Sequence, residues 1–202
     1  MTNSQYRFSF TATSLRTRDL VHIANWEKTD SLQQLELLIG NGKSSTGRRV
    51  YRELNNWLNM LTEEEINILK GDSFKAQNEI AFLAVCKYYK LIREFVVEVV
   101  REKYLVFDYE LTEGDYLSFI RRKAETYSEF DKLTEKTQNK IKQVMFRILD
   151  QANIIDNTKT KIIQPQLLEI ETRRAVLNDN QEFMKFFLLS DIDINRLKSA
   201  YV

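Results

Sequence analysis

Residues 134–165 read TEKTQNKIKQVMFRILDQANIIDNTKTKIIQP, and the change of pattern inside this stretch decides how the fold is read. Ile141, Val144, Met145, Ile148 and Leu149 recur at the three- and four-residue spacings of one helix side, with Thr134 placed as the cap. Lys136, Lys140, Gln143 and Arg147, spaced i, i+4, i+7 and i+11, fall on the other side of that helix. Then the period changes. Ile154-Ile155-Asp156, a turn-like Asn157 to Thr160, and Lys161-Ile162-Ile163-Gln164 closed by Pro165 predict a short β-hairpin. A helix followed directly by a hairpin bearing Lys159 and Lys161 is the pattern of a winged helix. In that motif, basic groups on both parts track the phosphates of a duplex.

Upstream of this stretch the pattern is helical throughout. Thr112 opens a helix through Tyr116, Leu117, Phe119 and Ile120 that runs into Arg121-Arg122-Lys123. Asp72 or Ser73 begins the longest one, expected to reach about Lys103, with Phe82, Val85, Tyr89, Ile92, Phe95, Val96 and Val99 apolar on most sides. Other helices should therefore surround it. Thr62-Glu63-Glu64-Glu65 is a capping box for a helix stopping at Gly71. Downstream, two helices are expected, about Leu167 to Leu177 and Asp179 to Leu189.

The N-terminal part carries a second candidate motif. Ser14 is placed to cap a helix to about Glu27, and Asp30 or Ser31 to open a short one with Leu32, Leu35, Leu38 and Ile39 inward. Gly40-Asn41-Gly42 breaks it, and a further helix runs from about Thr46 to Met60 with Val50, Leu54, Trp57 and Leu58 on its apolar side. This is a helix-turn-helix-like order, a motif whose second helix enters the major groove. Lys43, Arg48, Arg49 and Arg52 cluster at the start of that helix, and Ser45 and Thr46 add hydroxyls beside its free amides, a chemistry suited to phosphate. The fold expected is therefore all-α, with a helix-turn-helix-like half over residues 1–71. A winged-helix-like half with one short hairpin should cover 72–202.

Composition sets the outer bounds. The 202 residues are 43% hydrophobic and 29% charged with a net charge of only +1, so any attraction to a polyanion must come from where the charges lie. One proline and five glycines leave little punctuation for strands. The single cysteine, Cys86, sits in an apolar run and has no partner for a disulfide or a metal knuckle, which fits a reducing cytoplasm. Lys87, Lys90, Arg93, Glu94 and Glu98 interrupt the most hydrophobic stretch, so no membrane span is expected. The lone histidine, His22, has no metal spacing around it. The chain lacks a phosphate-binding glycine loop, a nucleophile motif and the ligand spacing of a calcium loop between Asp108 and Asp115. No catalytic residue, cofactor site or metal site is expected, and the chain is not read as an enzyme. The aromatic arm Tyr6-Arg7-Phe8-Ser9-Phe10 is expected to fill a groove in the chain's own core, with base stacking or an edge strand as the alternatives.

The order of segments adds a resemblance. Tyr6-Arg7-Phe8-Ser9-Phe10-Thr11 with Ser14-Leu15, Arg93-Glu94-Phe95 through Arg101-Glu102-Lys103-Tyr104, and above all Lys142 to Leu149 with Ile154-Ile155-Asp156 and Ile163-Gln164-Pro165, resemble the BrxA family. This is the small A component of BREX (bacteriophage exclusion) defence systems. Arg16 and Arg18 stand where the family pattern leads one to expect aliphatic residues, and they add basic surface. The resemblance implies an all-α fold with likeness to NusB-type RNA-binding proteins, binding to double-stranded DNA, and a place among the other BREX components. Two further readings stay open beside duplex binding: an RNA-binding protein, and a scaffold that recruits larger BREX components without touching nucleic acid.

Overall fold

A computed structural model of the chain describes residues 5–26 and 31–201. A 3-10 turn at Ser9–Ala12 precedes α1 (Thr17–Ala24), α2 (Leu32–Ile39), α3 (Ser44–Leu58), α4 (Glu63–Lys70) and α5 (Phe74–Tyr88). α6 (Lys90–Phe95), a π-helical turn at Val96–Arg101 and α7 (Glu102–Leu105) continue from it. α8 (Glu113–Thr126), α9 (Glu135–Gln151), α10 (Ile170–Asn180), a 3-10 segment Gln181–Phe187 and α11 (Asp191–Tyr201) complete the order.

α5 is the axis of the core. Its residues Ile80 through Cys86 are all buried, and it meets α1, α3, α4, α6 and α10. Local caps fix where several helices start. Thr62 and Thr112 each head a reciprocal capping box, with Glu65 and Asp115 returning a bond to the cap backbone. The Glu65 carboxylate also receives the buried Lys87 ammonium at 2.6 Å, which joins α4 to α5. Asp179 of α10 lies 2.6 Å from the same ammonium.

The long helix expected from 73 to 103 is divided. Tyr89 is extended (φ −103, ψ 101), although neither glycine nor proline is there to break the chain. Its side chain gives the reason. The ring is fully buried between Phe10, Trp57 and Tyr88, and its hydroxyl accepts the Trp57 indole N–H at 3.3 Å and donates to the Glu53 carboxylate. Those tertiary contacts set the direction of the ring, and the backbone follows.

The predicted hairpin and wing are absent: the described residues contain no strand, only isolated bridges pairing Ile155 with Ile163 and Glu110 with Ile162. Side chains at the turn compete with any ladder. The Asp156 carboxylate accepts from the amides of Asn157 and Ile162, and the Asn157 amide oxygen accepts from those of Lys159 and Thr160. Asn153 (φ 56) and Lys161 (φ 53) turn left-handed on either side of the turn, which interrupts the extended backbone a ladder needs. With no wing, α9 and its following loop are not a winged helix. The pair α2–α3 is tightly packed, and nothing in the described structure supports reading it as a helix-turn-helix. Gly47 of α3 sits so close to Glu36 of α2 that a Cβ there would lie 1.7 Å from the Glu36 carbonyl oxygen. Expectations of DNA binding lose the support of both motifs, and only the charge pattern remains for them.

Smaller departures follow the same logic. Ser14 adopts a left-handed conformation (φ 51) and α1 starts at Thr17, so Ser14 is not its cap; Asp30 and Glu27 lie outside the described residues. Leu32 and Leu38, expected inward on α2, are exposed, while Leu35 and Ile39 are buried. The last predicted helix is a 3-10 segment, and α11 follows where none was expected.

Candidate nucleic-acid interface

α9 is built to present one polar face. Thr134 Oγ1 accepts the Thr137 amide at 3.2 Å to start the helix. Ile141, Val144, Met145, Ile148 and Leu149 are buried, and the Phe146 ring packs on Phe95 and Tyr116. This anchoring leaves Lys136, Lys140, Gln143 and Arg147 on solvent. Lys140 Nζ donates to Gln143 Oε1 at 3.2 Å, whereas Arg147 makes no hydrogen bond or ion pair among the described residues.

Clefts flank this face on both sides and share Arg147. One, of about 370 Å³, is lined by Lys142, Gln143, Arg147, Lys161, Thr158 and Glu113 beside Phe146. Lys161 is held there with its ammonium 5.6 Å from the centre of the Phe146 ring, a cation–π contact. Glu113 is the acid of this cleft. It pairs with Lys142, whose hydrogen bond holds the Glu113 carboxyl below its ordinary range. The other cleft, of about 420 Å³, lies between the segment before α1 and α9, and its cations are Arg16, Lys140 and Arg147.

Among the sequence candidates, the structure thus brings Gln143, Arg147 and Lys161 together, with Lys140 beside them; Lys136 lies one turn nearer the start of α9. Lys159 is exposed on the turn that replaces the wing. The other set is on a different element. α3 packs on α1, α2, α5 and the 3-10 turn, and its first turns expose Ser45, Arg48, Arg49 and Arg52, with Lys43 just ahead and Thr46 half-buried. No side chain caps this helix at Lys43, and Arg48 lies 3.5 Å from the buried Glu36 carboxylate, which offsets part of its charge. Lys142 was not a sequence candidate because it sits off the i, i+4, i+7 stripe. Arg16 was marked only as added basic surface; its approach to α9 is a tertiary fact that periodicity does not carry.

The remaining reactive side chains have other surroundings. Cys86 is fully buried, and burial pushes its thiol well above the usual range. His22 is exposed in the last turn of α1. Among the described residues no group of three or more His, Cys, Asp or Glu is arranged to hold a metal, and no helix is long and apolar enough to cross a membrane. The aromatic arm lies on the chain's own core, with Tyr6 and Phe8 ring centres 5.1 and 5.4 Å from that of Phe130.

Comparison with known proteins places these features in context. A family model described as BrxA matches residues 4–180. A curated relative, "BREX protein BrxA" of Bacillus cereus (strain H3081.97), is 28% identical over 115 residues, 56% of this chain and 58% of the relative. The match thus spans little more than half of that relative's length. A crystal structure of an uncharacterized protein from Magnetospirillum magneticum superposes with a TM-score of 0.72, covering 91% of this chain and 97% of that one. At 18% identity, this likeness concerns the fold alone.

Proposed function

Because this chain belongs to the BrxA family, we propose that it is a non-enzymatic component of a BREX phage-defence system that docks on the backbone of duplex DNA through the outward face of α9. The observation that carries this reading is the exposed row Lys136, Lys140, Gln143 and Arg147 between two clefts that add Arg16 on one side and Lys161 on the other. Cations on such a face displace counterions from DNA, so affinity must fall with salt at about 0.9 log units per log unit for each phosphate neutralised. Lys43, Ser45, Thr46, Arg48, Arg49 and Arg52 form a second, separate contact in this proposal, and Lys159 extends the first. Gln143 and the α3 arginines have the chemistry to read base edges.

The test is anisotropy of a labelled random-sequence duplex titrated with the protein at low and near-physiological salt. Tight binding that weakens steeply with salt is expected. Lys140→Gln with Arg147→Gln should weaken it and reduce the magnitude of the log–log slope by roughly two, about one for each phosphate contact removed. An unchanged slope would take α9 out of the interface. Competition by structured RNA of equal length tests the RNA-binding reading. The scaffold reading draws on Val106 and Phe107, which stand 70% and 79% exposed after α7. It becomes the leading one if duplex binding is absent even at low salt.

A further inference from the structure

The cleft between the segment before α1 and the side of α9 differs from the rest of the basic surface. Lys140 and Arg147 line one wall, while Thr13, Ser14 and Arg16 line the other, and no carboxylate is part of the lining. The walls are tied together, since Gln151 Oε1 of α9 accepts the Leu15 amide at 3.0 Å, so the spacing between them is fixed. Arg16 is held at the rim by Asp19 and by donating to the Ile39 carbonyl at 2.7 Å, which leaves Lys140 and Arg147 as the uncompensated charges.

A second observation is independent of charge. Thr13, which lines the cleft, is only 5% exposed, and its hydroxyl has no hydrogen-bond partner among the described residues. Buried hydroxyls are ordinarily satisfied; this one is also sealed from solvent, so an acceptor entering the cleft reaches it only if the wall shifts. The left-handed Ser14 (φ 51) next to it is what turns the backbone sharply enough to bring Thr13 and Arg16 to the same cleft.

We infer that this cleft is a seat for one phosphate group, clamped by Lys140 and Arg147 from α9 and met from the other side by the Thr13–Arg16 wall. The oxygens of a phosphate diverge from one centre toward donors on both walls, a directional match that a monatomic halide does not offer. The phosphate comes from a nucleic-acid backbone or from a small phosphorylated ligand; the chemistry of the seat is the same. The inference deepens the α9 interface proposed above, but does not need duplex binding to be correct.

The experiment titrates the full chain with inorganic phosphate at ionic strength held constant with chloride, reading the thermal midpoint and amide chemical shifts. A saturable response that chloride does not reproduce is expected, with shifts concentrated at 13–16 and 140–151. Lys140→Gln with Arg147→Gln should weaken it about tenfold or more, as loss of charged hydrogen bonds implies. Lys70→Gln, at an exposed lysine outside the cleft lining, should leave it unchanged. A labelled duplex then separates the sources. If phosphate displaces the duplex and the double variant weakens both, the backbone is the source. If the double variant loses phosphate but holds the duplex, a small ligand is the source, and the α9 docking face fails while the seat stands. A natively folded protein with no saturable response to phosphate beyond that to chloride overturns the seat, whatever its affinity for DNA.

Discussion

At the scale of single residues, the clearest energetic commitment is the Lys87 ammonium between Glu65 and Asp179. Glu65 is completely buried, so removing the cation leaves a carboxylate with little beyond the Thr62 amide to oppose its charge. Lys87→Met should cost about 3–5 kcal/mol in urea unfolding, and adding Glu65→Gln should recover part of that loss, because the uncompensated charge is then gone. Cys86 offers a second check at this scale. Its thiol is fully buried and pushed upward by burial, so a thiol reagent at mildly alkaline pH should label it only as fast as the core opens. Rapid labelling of native protein would contradict the described packing. Much of this scale was legible in the sequence: the Thr62 capping box with Glu65 and the helix starts at Thr112 and Thr134 fall where expected, since a cap depends on three or four neighbouring residues. The role of Lys87 was not, because its partners come from 22 and 92 positions away.

At the scale of elements, local periodicity succeeded where an element has one buried side and failed where distant side chains decide the backbone. α3 and α9 follow their stripes. The break at Tyr89 does not announce itself, since Glu53, Trp57 and Phe10 cause it from other parts of the chain. The wing was misread because Ile154-Ile155 and Ile162-Ile163 have strand composition, while Asp156 and Asn157 spend the available amides on a turn. α11 had a signal that went unused: Ser190 accepts the Asp193 amide at 3.1 Å, a cap spaced like the others. Two predictions belong here. Gly47→Ala places a methyl against backbone that has no side chain to move, so α2 and α3 must part; a loss at or above the usual overpacking range of about 1–3 kcal/mol is expected in thermal or urea unfolding. α11 should be sensitive to acid. Hydrogen bonds from Lys185 and then Arg101 hold the Asp191 carboxyl below its ordinary range. A depressed folded value means this anchor is intact above the usual aspartate range and is lost as pH falls through the folded one. Protection of the α11 amides, taken relative to their slower intrinsic exchange at low pH, should therefore fall at acid pH in the wild type, and Asp191→Asn should show the lowered protection already at neutral pH.

For the whole molecule, one contiguous cluster of buried side chains runs from Tyr6 to Ile194 and includes residues on both sides of position 71. Coincident loss of tryptophan fluorescence, from Trp26 and Trp57, and far-UV ellipticity, in a single transition, is the expected unfolding behaviour; two separated transitions would show the halves 1–71 and 72–202 behaving as independent units. The candidate site was legible in part at this scale. The α9 stripe and Lys161 were present in the spacing, but their meeting with Arg16 depends on how the N-terminal segment crosses α9, which no local pattern records. Tyr89 carries a last consequence. In an unbroken rod each residue gained or lost turns everything beyond it by roughly 100°, swinging every later side chain off its mark. A single extended residue between α5 and α6 acts as a slip joint. The face that Phe95 turns toward α8 and α9 is thereby set apart from the helical phase of α5, whose residues Ile80 through Cys86 are held to the core.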